Sequence, residues 1–213
     1  RTYLEGRGLE AATLERFQLG YALDQWDGVI RYLQTKAYAL TDLVEAGLVV
    51  EREETGSHYD RFRGRIMFPI RDLQGRTIGF GARAMGDAMP KYMNSPQTPL
   101  FDKSSVLFGL DQARAGIRTA GEAVIVEGYM DVLMAHQHGI NNVVAQMGTA
   151  LTEEQLKLLK RHTRRFVLAL DSDAAGDQAT LRGLDVARQV MDRDVVPVIT
   201  PRGLIRYEER LAA

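Results

Sequence analysis

The segment AVIVEGYMDVLMAHQHGINNVVAQMG, residues 123–148, reads as strand, helix and strand. Four apolar residues, Ala123 to Val126, run into Glu127 and Gly128, as a fully buried strand does. A helical pattern follows and stops at Gly139, and a second apolar run begins after Asn142. The alternation continues outward. LTEEQLKLLKRH is a helix with Thr152 and Gln155 at capping-box spacing, and RFVLAL is the third strand. DQATLRGLDVARQVMD is the next helix and VVPVIT the fourth strand. Strands alternating with helices of this length build βαβ crossovers and a parallel sheet.

Ligands of such a sheet bind outside the carboxyl ends of its strands. Glu127 ends the first strand of this half, and Asp171 and Asp173 end the third. If those strands are neighbours, the three acids converge. Residues i and i+2 of an extended segment point the same way, so Asp171 and Asp173 can face one ligand together. Carboxylates gathered without histidine or cysteine suit a hard cation such as Mg²⁺, with Mn²⁺ as an alternative. A cation is the simplest reason to hold like charges so close, since alone they raise one another's pKa. Ala174, Ala175 and Gly176 are small enough to let a phosphate approach the backbone. The same Asp-x-Asp pattern also serves as ordinary turn and helix-cap chemistry.

Upstream the pattern differs. Residues 1–50 read as helical: Leu9, Leu14 and Phe17 share a helix face that stops at Gly20, and two short helices follow, the second capped by Thr41 and ended by Gly47. RFRGRIMFPIRDLQGRTIGFGARAM alternates like strands, with Asp72 to Gly75 as a hairpin turn. MPKYMNSPQTPLFDKSS reads as an ordered loop of ligand-binding residue types. The fold class expected is α/β plus α+β, a mixed amino-terminal subdomain followed by a parallel sheet flanked by helices.

The 213 residues are 45% hydrophobic and 26% charged, a globular composition. No apolar run reaches the roughly 18 residues of a membrane span, so no membrane role is expected. The absence of cysteine excludes disulfides and thiolate metal sites, and the four histidines have no metal spacing; His136 and His138 read as a surface pair. The net charge of −1 is unevenly spread. Residues 60–103 hold eight basic residues against four aspartates, and residues 122–177 hold eight acids against five bases. That asymmetry suits a polyanion on one lobe and metal ions on the other. Arg61 and Arg65 read as solvated charges, and Tyr92 and Phe101 as residues that stack a base or pack under the loop.

VIVEGYMD, GTALTEEQLKLLKR and LALDSDAAG together resemble the Toprim fold of bacterial DNA primases of the DnaG type. YDRFRGRIMFPIRDLQGRTIGFGAR and PKYMNSPQTPLFDKSSVLFGL resemble the amino-terminal half of the same catalytic core, and are more specific to primases than the acidic motifs. The resemblance implies residues 1–118 as a basic subdomain for template and nucleotide, 119–200 as the Toprim subdomain, and 201–213 as an unmatched tail. It implies Glu127, Asp171 and Asp173 as catalytic residues, with Asp131 joining them as metal ligands. Arg63, Arg83, Lys91, Asn94 and Lys103 would bind nucleotide and template. The activity implied is a metal-dependent, DNA-directed RNA polymerase, a nucleotidyltransferase. It would take single-stranded DNA template and ribonucleoside triphosphates, make RNA primers, and work in the bacterial cytoplasm at the replication fork of the nucleoid as part of the primosome.

The sequence also departs from that family. It holds no zinc module and no helicase-binding domain, so a helicase would be met only through a domain absent here. An acidic Asp-Pro-Asp motif expected after the fourth strand is replaced by VVPVITPRGLIRYEERLAA, as if the core were cut or joined to a foreign tail near Thr200. The opening Arg1 likewise reads as a fragment. Two alternatives remain open at this stage: a Toprim nuclease or topoisomerase-like cleaver, and a catalytically incomplete module that binds single-stranded DNA.

Overall fold

The computed structural model describes residues 1–147 and 151–169, and the backbone of 195–197. In chain order the elements are α1 (Thr2–Glu5), α2 (Ala11–Arg16), β1 (Gly20–Ala22), α3 (Gly28–Gln34), α4 (Leu40–Glu45), β2 (Val49–Glu51), β3 (His58–Asp60), β4 (Arg65–Arg71), β5 (Thr77–Ala84), β6 (Tyr92–Asn94), α5 (Leu110–Ala120), β7 (Ala123–Val126), α6 (Tyr129–Gln137), β8 (Val143–Ala145), α7 (Glu153–Lys160), β9 (Phe166–Leu168) and β10 (Val195–Pro197). The chain divides into two compact units, one of residues 1–14, 71–75 and 103–213, the other of 15–70 and 76–102.

The first unit is the expected parallel sheet. Its strand order is β10-β9-β7-β8, with β7 parallel to both β8 and β9 and β9 parallel to β10. Every residue of β7, β8 and β9 is buried, which is why they read as unbroken apolar runs. Leu110, Ala113 and Ile117 of α5 and Leu156 and Leu159 of α7 cover the sheet. Their spacing of three or four residues is one helix face. Gly116 of α5 lets the helix touch the loop before β8: a Cβ there would lie 2.3 Å from the Asn141 carbonyl oxygen. The turn 71–75 belongs to this unit, since Leu73 packs on the core and Arg71 pairs with Asp111 at 3.5 Å. The Thr152 cap is as expected, with its hydroxyl accepting from Gln155 N–H and the Gln155 side chain accepting from Thr152 N–H. The helix expected over residues 177–192 lies outside the described residues.

The second unit holds the antiparallel sheet β1-β4-β5-β6 and the ribbon β2-β3. Here four expectations are corrected. Gly20 does not stop a helix; it opens β1, which pairs with β4. Thr41 lies inside α4, whose N-cap is Ala39, although Gly47 does end it at φ 70°. The PKYMNSP segment is partly strand, because Ser95 takes Phe80 N–H on its hydroxyl and donates its own N–H to Phe80 O. That anchors β6 to β5. Arg65 is not a solvated charge: it is 7% exposed and donates Nη1–H to the Pro90 carbonyl at 2.7 Å. Arg61 is half-buried as well. Burial lowers the pKa of both guanidiniums, with Arg63 adding to the effect at Arg65. The turn Asp72 to Gly75 is as expected, with Asp72 Oδ1 accepting from Gln74 N–H. Among the described residues no helix is long and apolar enough to cross a membrane.

Candidate acidic edge and nucleic-acid interface

The strand order fixes where a ligand of the first unit should sit. β7 connects onward to β8 on one side, while β9 and β10 lie on the other. The crevice between the carboxyl ends of β7 and β9 is therefore the topological switch point. Glu127 stands there, half-buried, at the first residue beyond β7. Its neighbour Gly128 opens α6, and Asp131 Oδ2 reaches back to accept the Gly128 N–H at 3.2 Å. A Cβ on Gly128 would lie 2.9 Å from that oxygen, so glycine keeps the carboxylate close to the turn. Asp131 is exposed. Tyr129 is 4% exposed and packs edge-to-face on Phe108 at 4.8 Å.

Ile125 lies opposite Leu168 in the parallel ladder, and Ala169 donates to Ile125 O. The third strand thus arrives beside Glu127, as the expectation of neighbouring strands required. Asp171 and Asp173 follow by two and four positions in the sequence, and they lie outside the described residues. Among the described residues no group of three histidines, cysteines or acids could hold a metal. The donor set present, Glu127 with Asp131, is nevertheless the oxygen chemistry that Mg²⁺ takes, one or two carboxylates with substrate phosphate supplying the rest.

The basic residues divide between the units. Arg83 lies opposite Tyr92 and Gly81 opposite Asn94 in the antiparallel β5–β6 pair. Directly opposed residues share a face, so Arg83, Tyr92 and Asn94 stand on one face of the hairpin. Arg83 is 7% exposed; Nε donates to the Tyr92 hydroxyl at 3.2 Å and Nη1 to Ala84 O at 3.3 Å. Lys91 is exposed. Phe101 is buried against Gly79, where a Cβ would lie 2.9 Å from its ring, so its packing reading holds. Lys103 belongs to the first unit, where its carbonyl accepts from Gln155 Nε2 at 3.1 Å.

Arg63 sits in a constellation that sequence reading missed. Its guanidinium carbon lies 4.6 Å from the Trp26 ring centroid and 5.0 Å from that of Tyr59. Arg52 lies 5.0 and 5.4 Å from the same two rings, which stack at 5.0 Å. Trp26 stays 51% exposed. Asp60 builds this surface from beneath. Its carboxylate accepts Val29 N–H at 2.7 Å and Ile30 N–H at 3.1 Å at the start of α3. Its own N–H donates to Trp26 O at 2.8 Å, and its carbonyl accepts from Arg63. The signal the sequence offers is its single tryptophan, Trp26.

His136 is a further correction. It is 3% exposed, and its Nε2 donates to Val143 O at 3.0 Å, while His138 is exposed. Two residues apart on a helix point to nearly opposite sides, so the pair divides between core and surface.

Comparisons agree with the two halves of the chain. Residues 1–114 match the model of the DNA primase catalytic core, N-terminal domain, and residues 121–197 match a Toprim domain. A DNA primase of Deinococcus radiodurans is 53% identical over 184 residues, which cover 86% of this chain and 32% of the relative. Two solved structures are similar. A DnaG primase catalytic domain bound to single-stranded DNA has a TM-score of 0.88 at 39% identity, covering 100% of this chain and 68% of that one. The Escherichia coli primase catalytic core has a TM-score of 0.86 at 40% identity, covering 98% and 68%. The chain spans about a third of the length of the curated relatives it matches. With a parallel sheet that presents Glu127 at its switch point and a matching amino-terminal half, the chain belongs to the DNA primase catalytic core family, an N-terminal domain followed by a Toprim domain.

Proposed function

We propose that this chain is the polymerising part of a DNA primase, a metal-dependent, DNA-directed RNA polymerase that makes RNA primers on single-stranded DNA from ribonucleoside triphosphates. The observation that carries the reading is Glu127 at the switch point, beside the strand whose sequence continues to Asp171 and Asp173. Glu127, Asp131, Asp171 and Asp173 would hold divalent cations, Mg²⁺ or in its place Mn²⁺. Such ions, when bound, stabilise charge on the attacking and leaving oxygens of phosphoryl transfer. Glu127 would act as a general acid/base, taking the proton of the primer 3′-hydroxyl, or would help to hold the metal.

Lys91, Lys103, Arg83 and Arg63, with Asn94, would meet the phosphates of triphosphate and template, by point-charge and bidentate contacts respectively for lysine and arginine. Trp26 adds a stacking surface for an unpaired base. In this reading residues 1–118 serve template and nucleotide and residues 119–200 the acidic edge. The same reading places the protein at the replication fork, in the cytoplasm.

The test is extension of an end-labelled primer on single-stranded template, with ribonucleotides and Mg²⁺ or Mn²⁺. Metal-dependent lengthening that Glu127→Gln and Asp171→Asn/Asp173→Asn abolish is the expected result. Shortening of the label would overturn the reading in favour of a nuclease. Unchanged length with salt-sensitive DNA binding retained would overturn catalysis and leave a binding module.

A further inference from the structure

The first unit carries a second concentration of charge, away from Glu127. α5 runs into β7 and α7 runs into β9, so the carboxyl ends of both helices meet at the amino edge of the parallel sheet. Thr163 donates to Gly121 O there and ties the two ends together. Arg114 and Arg118 stand one turn apart on α5, and Arg161 caps α7. All three act electrostatically on His162, and Arg118 Nη2 lies 3.5 Å from its Nδ1. An arginine can only donate, so His162 Nδ1 accepts, which puts the proton of the neutral ring on Nε2. β7 alone spans about 13 Å at the usual strand rise, so this edge is distinct from the one that presents Glu127.

Three other cations of this unit have acidic partners: Arg165 with Glu122 at 3.4 Å, Lys157 with Glu153 at 2.7 Å, and Arg71 with Asp111. Among the described residues, Arg114, Arg118 and Arg161 have none. Like charges one turn apart on a helix oppose its folding. The negative end of a helix dipole favours a cation, but Arg114 lies well back from the end of α5. The dipole thus favours Arg118 and Arg161, while the repulsion they share with Arg114 is offset by no acid among the described residues. Guanidiniums are the side chains suited to phosphate oxygens.

We propose that Arg114, Arg118 and Arg161 form a second phosphodiester-binding surface, which takes the backbone of a nucleic acid at the amino edge of the sheet. This goes beyond the polymerase reading, in which no residue of that edge takes part. A strand laid there would relieve the mutual repulsion of the three guanidiniums, and it would be held by charge rather than by base sequence.

The experiment compares the whole chain with Arg114→Gln/Arg118→Gln/Arg161→Gln for binding of fluorescein-labelled oligo-thymidylate, and of a duplex, across a salt series. Each phosphate contact with a single strand contributes about 0.7 to the slope of log affinity against log salt. The triple variant is expected to lower that slope by about 2 for three contacts, with its melting temperature unchanged or raised. The His162 imidazole titration, followed by NMR, gives a local readout. Phosphates beside Arg114 and Arg118 of α5 and Arg161 of α7 should raise its midpoint in the wild type, and DNA should leave the triple variant's midpoint where it is. An unchanged slope together with an unmoved His162 midpoint, in a wild type that binds DNA, overturns this inference alone. A wild type that binds no DNA overturns the polymerase reading with it. Loss of polyglutamate binding in the variant, with DNA binding intact, overturns it in favour of an acidic protein partner.

Discussion

Asp60 gives the sharpest test of how the amino-terminal surface is built. It is 2% exposed, and its carboxylate accepts the N–H groups of Val29 and Ile30. These are second and third residues of α3, donors that no turn of the helix can satisfy. Asp27, at the N-cap itself, makes no side-chain cap bond, so the cap is supplied from a strand some thirty residues away. Asp60→Ala removes two hydrogen bonds to a charged acceptor, each worth about 1.5–3 kcal/mol, and leaves the Ile30 N–H buried without a partner. The expected loss is about 3 kcal/mol or more. Asp60→Asn keeps a carbonyl oxygen but no charge, and should lose about half as much. With a urea slope of about 2 kcal/mol per molar, the alanine variant should unfold about 1.5 M earlier. The assay is urea unfolding followed by the emission of Trp26, the one tryptophan in the chain, whose carbonyl Asp60 N–H holds. A midpoint shift under about 0.3 M for Asp60→Ala, or equal shifts for alanine and asparagine, would refute the tertiary cap.

Three other substitutions probe separate parts of the molecule. Gly116→Ala would stabilise an ordinary helix by about 1 kcal/mol, but the new Cβ would meet the Asn141 carbonyl oxygen at 2.3 Å. The sign should therefore reverse, and a raised melting temperature would contradict the packing of α5. Trp26→Ala should weaken binding of single-stranded DNA by about 1–3 kcal/mol, or roughly 5- to 150-fold, at constant salt slope. Unchanged affinity in a fluorescence titration would remove the stacking role. The pKa of His162 is lowered below its ordinary 6.5 by burial first, then by Arg118, Arg114 and Arg161. The unfolded chain then binds the proton more readily, so His162 subtracts stability as pH falls through 6.5 toward its folded pKa. His162→Gln should flatten this part of the stability–pH curve, measured by melting between neutral and mildly acid pH; an identical slope would refute the assignment.

The parallel sheet was legible because its strands are buried on both faces and α7 carries its own cap. Ala123–Val126 and Phe166–Leu168 are apolar runs for that reason, and Thr152 with Gln155 announces α7 by its capping-box spacing. Glu127 followed from the same logic, as the polar residue at a strand's end. The amino-terminal unit was less legible because its order is set over long separations. β1, β2 and β3 have three residues each, too few for a period to show. β6 exists because Ser95 engages Phe80, and Arg65 is buried because the Pro90 carbonyl, 25 residues on, receives it. No local pattern carries such information. The aromatic cluster was hidden in the same way, with Trp26, Arg52, Tyr59 and Arg63 coming from four separate points of the chain.

Burial also separates two kinds of arginine and lysine in the amino-terminal unit. Arg65 and Arg83 are each 7% exposed and donate within the protein, Arg65 to Pro90 O and Arg83 to the Tyr92 hydroxyl and Ala84 O. Lys91, between those acceptors in the sequence, is exposed, and its carbonyl accepts the Ala84 N–H at 2.8 Å. Arg65 thus fixes the loop that presents the ammonium, and Arg83 orders the strand end from which it is proposed to meet phosphate. If so, the two kinds of residue should fail differently. Lys91→Ala should lower the salt slope of single-stranded DNA binding by about 0.7, the contribution of one phosphate, and leave melting unchanged. Arg65→Met should keep the slope but lower stability by about 1–3 kcal/mol, because the Pro90 carbonyl loses its donor. A reduced salt slope in Arg65→Met with unchanged melting would show that Arg65 itself reaches the phosphates and would refute its assignment to the loop.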